Sequence, residues 1–485
     1  MRSIGTVLRS TRREWWKGLG ALASVAALAP CAALAAPGPS GALTLEPHEL
    51  RLDNGLRAFV IPDRSSPAVA IHSSYRVGAR DEAPGQTGFA HPFEHMMFQG
   101  TRRLERNEIA RLVEQAGGQL NAGTGLDLTF YWHEVPSHHL ERVLWAEAER
   151  LSSLRIDEEG LAIQRAAVRS EFDKLASQPY HDANEALWRE LFAGTSYDHP
   201  PIGAMADVDR AEVGDLRAFF ERHYRVDNLV LVLAGDVTPA DARELVTRYL
   251  GEPPPDAPLP PRPRGARATP ARLDRALEDA TARLCELALA WSTVGESHAD
   301  HFALEAAVAI LCGGRSSRLA RAVVERAEAA TSVSGRRYAY GEAGGVILRA
   351  QAATPLDAER VEAAVREAIA ELARGGPTPQ ELRRFASRKR VEAAIELASN
   401  SGRARAVAVG ATVFDDPLRI LHEVEAYAAL TASDVARVAA RYFGDERIRY
   451  ALTPRRAPQH DLATVGLGDG AIEAHRVPAD VHDAA

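Results

Sequence analysis

Cysteine is scarce in this chain, with three in 485 residues. Cys31 falls in an amino-terminal leader, and the remaining Cys285 and Cys312 are too few for a disulfide framework. A single bridge between them is not indicated. Excess positive charge is also missing: the formal net charge is −8, and nothing favours nucleic acid as a partner. Beyond the leader no apolar run is long enough to serve as a stable membrane span after processing. Gly313-Gly314-Arg315-Ser316-Ser317-Arg318 is glycine-rich but lacks the lysine of a phosphate loop. His133-Glu134-Val135-Pro136-Ser137 fails as H-E-x-x-H, because Ser137 stands where the second histidine is needed and Pro136 interrupts a helix. That stretch reads as a strand end followed by a helix cap at Ser137. His298, Asp300 and His301 read as a solvated cap before a helix rather than a site. What is present is an ordinary globular composition, 46% hydrophobic and 26% charged, in a chain long enough for two or more cores.

The amino terminus reads as a targeting segment. Arg2, Arg9, Arg12, Arg13 and Lys17 precede an apolar run from Gly18 to Leu34, and Ala33-Leu34-Ala35 is an A-x-A cleavage signal. Residues 1–35 are therefore expected to be a signal peptide and the mature protein periplasmic. Arg12-Arg13 followed by Trp15-Trp16 also resembles a twin-arginine signal, with Trp where Phe and Leu are usual. Either export route suits the pattern, and an uncleaved anchor is the alternative. Pro30 makes Cys31 a poor lipoprotein site.

The most informative residues are His91, Glu94 and His95, within Gly88-Phe89-Ala90-His91-Pro92-Phe93-Glu94-His95-Met96-Met97-Phe98. On a helix, positions i, i+3 and i+4 share one face, so two imidazoles and a carboxylate converge. Two neutral histidines one turn apart suit zinc, and a carboxylate between them is placed to take a proton from water. The order H-x-x-E-H is a known inverted zinc peptidase signature. Taken alone, a capped amphipathic helix that carries two histidines satisfies the same pattern. A catalytic zinc also needs a third protein ligand. Asp157 to Gln178 reads as a helix, with Leu161, Gln164, Val168, Glu171 and Leu175 at helical spacing, and Glu171 could close the site. Between the two helices, Gly117-Gly118-Gln119-Leu120-Asn121-Ala122-Gly123-Thr124 enters a strand from a Gly-Gly helix stop.

With those residues the chain resembles the pitrilysin or insulinase-like (M16) zinc metallopeptidases, a family that includes the mitochondrial processing peptidases. The resemblance rests on the run from Gly88 to Thr101, on residues 117–122 and on Glu171, and extends from about Leu45 to Pro454. It implies a zinc endopeptidase acting on peptides or unfolded protein, with one zinc held by His91, His95 and Glu171 and with Glu94 as general base. Asn121 and Ala122 would lie on an edge strand along which substrate binds.

Two halves are expected in an α+β chain, each a pitrilysin-like half-domain of mixed antiparallel sheet packed with helices. Residues 45–250 would form the catalytic half, 251–272 a Pro-rich linker, 273–455 an inactive half and 456–485 a tail. The strand at Leu284 to Trp291 echoes Ala68 to Tyr75, and Asp434 to Tyr442 echoes Asp215 to Tyr224 at nearly the same offset, which suggests duplication. The corresponding second-half helix, Asp300 to Leu311, has no H-x-x-E-H. Three departures from the family pattern stand out. Pro92 lies inside the metal helix. Gln164 replaces a supporting glutamate that active relatives often carry, so it would lie behind the ligands as a neutral hydrogen-bonding group. Val324 and Thr331 stand where the family's second half usually has an Arg and a Tyr that grip substrate. The resemblance then implies a heterodimer with a homologous subunit bearing the Arg-Tyr pair, a homodimer being the alternative. A non-catalytic subunit for assembly or peptide binding is the competing function.

Overall fold

The computed structural model describes residues 43–253, 257–262, 272–352 and 357–455. The expected signal peptide, residues 254–256 and 263–271 of the Pro-rich segment, and the tail from 456 lie outside the described residues. From Thr44 onward the chain forms one unit.

The first half begins with a hairpin, β1 (His48–Arg51) and β2 (Arg57–Pro62). Its turn is pinned by Asn54, whose buried side-chain amide donates to the carbonyls of Leu250 at 2.6 Å and Glu252 at 2.8 Å. The remaining strands are β3 (Ala68–Tyr75), β4 (Gln119–Thr124), β5 (Thr129–Pro136) and β6 (Leu229–Gly235). They assemble in the order β1-β2-β6-β3-β5-β4, with β2 and β6 parallel and every other pair antiparallel. β6 is buried along its whole length, as its unbroken apolar sequence requires of a central strand. β4 is an edge. The helices of this half are α1 (Ala90–Met96), α2 (Glu108–Gln115), α3 (Leu140–Ser153), α4 (Glu158–Ala176), α5 (His181–Leu191), α6 (Met205–Arg210), α7 (Val213–His223) and α8 (Pro239–Leu250).

The second half holds β7 (Leu273–Asp279), β8 (Cys285–Val294), β9 (Ser332–Ala339), β10 (Ala343–Ala352) and β11 (Ile448–Pro454), with α9 (His301–Cys312), α10 (Ala358–Gly375), α11 (Pro379–Leu397), α12 (Asn400–Phe414), α13 (Arg419–Ala429) and α14 (Ala432–Tyr442). Its sheet order is β7-β11-β8-β10-β9, with only the β7-β11 pair parallel. Strand for strand and sense for sense this repeats β2-β6-β3-β5-β4. The chain is an α+β protein of two related halves.

Each half lends a helix to the other. α5 packs on β8 and β11 of the second sheet, and α12 packs on β3 and β6 of the first. α5 contributes Leu187 and Leu191 to a core shared with Ala288, Ala290, Ile347 and Tyr450. α12 presents Ala404, Val407, Ala408 and Ala411, all buried, so that small side chains allow a close approach to the sheet. Ion pairs between Arg403 and Asp63, and between Arg57 and Asp415, flank that contact.

Some expectations change in the structure. Ser137 does not cap a helix: its hydroxyl donates to Asp236 at 2.9 Å, and a short 3₁₀ turn follows it. The strand end is as expected, but His133 within it is fully buried and shares Glu147 with Arg150 and Ser73, at 2.7, 2.6 and 2.7 Å. The Arg150 guanidinium lies 4.1 Å over the Tyr131 ring. Asp300 and His301 are buried rather than solvated. Asp300 accepts from Arg437 at 2.6 Å and the Tyr442 hydroxyl at 2.8 Å, and His301 Nδ1 lies 2.8 Å from Arg337. Their charge partners come from elements remote in sequence, which a local reading of caps does not register. The Pro-rich segment is also tied down. Arg262 pairs with Asp81 at 2.8 Å, and the Ala257 carbonyl accepts from Arg225 at 2.6 Å.

Candidate metal centre

α1 is seven residues long and has no side-chain cap, too short to be stable alone. Pro92 occupies its third position, where an N–H would have no intrahelical partner, so the proline removes nothing the helix uses. The helix is fixed by one apolar face. Ala90, Phe93 and Met96 are buried, and the Phe93 ring stacks on Phe219 and Tyr224 with centroids 5.1 and 5.4 Å apart. His91, Glu94 and His95 are left to face α4 and β4.

α4 starts where Asp157 accepts the Gly160 N–H at 2.8 Å. Leu161, Gln164 and Val168 are buried along it, and Glu171, two turns beyond Gln164 on the same side, reaches the histidines. Ligand atoms of His91, His95 and Glu171 all lie within 4.8 Å of one another. His91 Nε2 and Glu171 Oε2 are 3.6 Å apart; two ligands of a tetrahedral zinc, each about 2 Å from it, are separated by about 3.3 Å. The Gln164 side-chain oxygen lies 3.1 Å from His95 Nδ1. As an amide oxygen it can only accept, so Nδ1 carries the proton and Nε2 the lone pair that a metal needs. Two imidazoles and a partly buried carboxylate at this spacing fit zinc.

Glu94 is bound to the edge strand. Its Oε2 accepts from the Thr124 hydroxyl at 3.0 Å, and the same hydroxyl lies 3.3 Å from the Ala90 carbonyl. Thr124 ends the edge strand that also carries Asn121 and Ala122, so this strand passes beside the carboxylate. The Asn121 side-chain oxygen accepts from the Ala122 N–H at 2.9 Å. In the second half, Val324 lies in a π-helical turn and the Thr331 hydroxyl donates to the Gln351 carbonyl at 2.8 Å.

Three residues that support this site were not singled out from the sequence: Thr124, Glu82 and His199. Thr124 sits within the strand quoted above but carried no motif signal. Glu82 is buried and accepts from the N–H groups of Gly88 at 2.6 Å and Ala90 at 2.7 Å. His199 Nε2 lies 3.0 Å from Glu82 Oε2, and its Nδ1 lies 2.9 Å from Asp198. Burial pulls the His199 imidazole down, but hydrogen bonds to Glu82 and Asp198 outweigh it and raise the group to about 9. Neither residue shares a periodicity with the histidines.

Two family models cover most of this architecture. The one described as "Insulinase (Peptidase family M16)" matches residues 59–204, and "Peptidase M16 inactive domain" matches 210–388. The chain belongs to the M16 peptidase family. The first match covers the segment that carries H-x-x-E-H and Glu171, and the second runs from α7, β6 and α8 of the first half into the half that lacks the motif. Among M16 relatives, the zinc protease PqqE of Helicobacter pylori is 26% identical over 420 residues, covering 83% of this chain and 91% of the relative. YmxG of Bacillus subtilis, described as an uncharacterized zinc protease, is 26% identical over 330 residues, 68% of this chain and 79% of the relative. A crystal structure of a protease from Helicobacter pylori superposes with TM-score 0.78 at 23% identity, covering 85% of this chain and all of that one. The periplasmic protease PqqL of Escherichia coli gives TM-score 0.70 at 19% identity, with 90% of this chain matching 52% of that one. These structures share the fold. Among the described residues, no helix is long and apolar enough to cross a membrane.

Proposed function

We propose that this chain is a zinc-dependent endopeptidase of the periplasm, with His91, His95 and Glu171 as ligands for one zinc and Glu94 as general base. The observation that carries the reading is the convergence of those three ligand side chains, within 4.8 Å, beside a carboxylate oriented by Thr124. Zinc bound there would supply Lewis acidity, polarising the scissile carbonyl and making water a stronger acid. Glu94 accepts the proton of the attacking water and returns it to the leaving amine. Thr124 holds one carboxylate oxygen and so orients the carboxylate for that proton transfer. Peptide adds as a further strand to the β4 edge, where the Asn121–Ala122 bond is exchanged for bonds to substrate backbone, so sequence preference is loose.

The zinc protease names of the M16 relatives support the enzyme. Gln164 supports the competing reading of a non-catalytic peptide-binding subunit, since it orients His95 without adding negative charge. Zinc content of purified wild type and His91→Ala separates the two. One zinc in the wild type, lost in the variant together with hydrolysis of a flexible peptide, is expected; a wild type that folds without zinc and cleaves nothing overturns the enzyme.

Val324 and Thr331 offer no cation and no phenol, so the substrate grip is assigned to a homologous subunit that carries the Arg-Tyr pair. Mixing the two purified chains should give a complex on size exclusion and faster hydrolysis. Equal hydrolysis with and without that homologue, and no complex, leaves a homodimer or a lone chain.

A further inference from the structure

The stretch from Ala83 to Phe89 has no regular structure, yet it must deliver α1 to one position if His91 and His95 are to meet Glu171. Its backbone amides are met from two sides. Glu82, fully enclosed, accepts from Gly88 and Ala90, on either side of the helix start. The segment after α5 supplies the rest. Asp207 accepts from the Thr87 N–H at 3.2 Å and its hydroxyl at 2.6 Å, and the Ala204 N–H donates to that hydroxyl at 3.1 Å. Gly88 and Gly203 have positive φ, 88° and 64°. They touch so closely that a Cβ on Gly203 would lie 2.2 Å from the Gly88 nitrogen. His199 belongs to the same segment, and its Nε2 lies 3.0 Å from the Glu82 carboxylate. It lines a 610 Å³ cleft with Arg76, Arg222 and Thr87, so the far side of this clasp faces solvent.

We infer that Glu82 and His199 are positioning residues for the metal helix: Glu82 fixes the start of α1 through two backbone amides, and His199 fixes Glu82. The inference rests on the proposed metal reading only for its consequence, that loosening the clasp separates His91 and His95 from Glu171. The clasp itself is made by protein groups alone. Neither residue touches zinc or substrate. A seven-residue helix with a proline and no side-chain cap does not hold its own direction, and a buried carboxylate with three donors is a rigid anchor for its amino end.

Hydrogen exchange of the full chain, stripped of metal with a chelator, tests the clasp directly. Glu82→Gln and His199→Ala should raise exchange across residues 90–97 about tenfold or more while leaving α7 unchanged. His199→Gln keeps a donor and should restore most of the protection. Zinc affinity, read by competition with a chromophoric chelator, should fall about tenfold in the first two variants. Exchange of residues 90–97 within about twofold of wild type in His199→Ala, or an equal rise in α7, overturns the inference. Should Glu82→Gln fail to fold, the two His199 variants decide it, because that side chain is only half-buried. A wild type that binds no zinc would refute the metal reading and leave the exchange result to decide the clasp.

Discussion

In the proposed mechanism Glu94 and Glu171 serve one centre from different helices, and their surroundings differ. Glu94 bonds to Thr124, whereas Glu171 faces His91 Nε2. Glu94→Gln should therefore lower peptide hydrolysis by about 10²-fold or more while bound zinc stays near one per chain, because a base is lost but no ligand. Full activity in that variant would sink the assignment. Glu171→Gln should instead weaken zinc about tenfold or more, since an amide oxygen is a poorer ligand than a carboxylate; unaltered affinity in a chelator competition would mean another third ligand. A separate pair of predictions concerns stability. Burial pushes the Glu147 carboxyl up, but the Arg150 charge, His133 and Ser73 outweigh it and hold it at about 2. Its ordinary value is 4.5, so the stabilisation is complete above that pH and is lost as pH falls from 4.5 towards 2. Glu147→Gln should cost about 3–5 kcal/mol at neutral pH by leaving Arg150 buried without its counter-charge, and should flatten that acid limb in chemical denaturation. An unchanged acid limb would assign the acid sensitivity elsewhere.

At the scale of elements, the helix carrying H-x-x-E-H and the helix carrying Glu171 were legible in the sequence for a simple reason: their signals are local. His91, Glu94 and His95 lie within one turn and a half, and Gln164 and Glu171 share one side of α4 by spacing alone. Three strands were equally readable from their apolar runs, Ala68–Ile71 in β3, Leu229–Ala234 in β6 and Leu287–Trp291 in β8. Illegible were the contacts whose two ends are far apart. Asp300 and His301 look like a polar cap until Arg437, Tyr442 and Arg337 are brought to them. Glu82 and His199 carry no period, and Ser137 precedes a helix yet bonds to Asp236. α12 shows the same limit. Its small residues indicate close packing but not that the surface beneath is the other half's sheet. Ala408→Leu should therefore destabilise by about 1–3 kcal/mol through overpacking. Because α12 sits on β3 and β6, the loss should register in amide exchange of the first-half sheet; perturbation confined to the second half would contradict the packing.

The whole molecule is built from a duplicated sheet, but the repeats are not independent. α5 leaves the first half to cover β8 and β11, and α12 returns to cover β3 and β6. A half taken alone exposes the apolar face that its partner's helix covers, and carries a donated helix without the sheet it packs on. This joins the half with H-x-x-E-H to one that lacks it: the second half would be retained because the first sheet needs α12, whatever else it does. Residues 44–253 expressed alone should therefore aggregate or expose apolar surface to a hydrophobic dye. Co-expression with residues 257–455 as a separate chain should recover a soluble one-to-one complex. Centrifugation, dye binding and zinc content of the two preparations check this. A monomeric 44–253 fragment that unfolds cooperatively and keeps its zinc would show that the exchanged helices are dispensable. It would also mean that the duplication is held together for a reason other than packing.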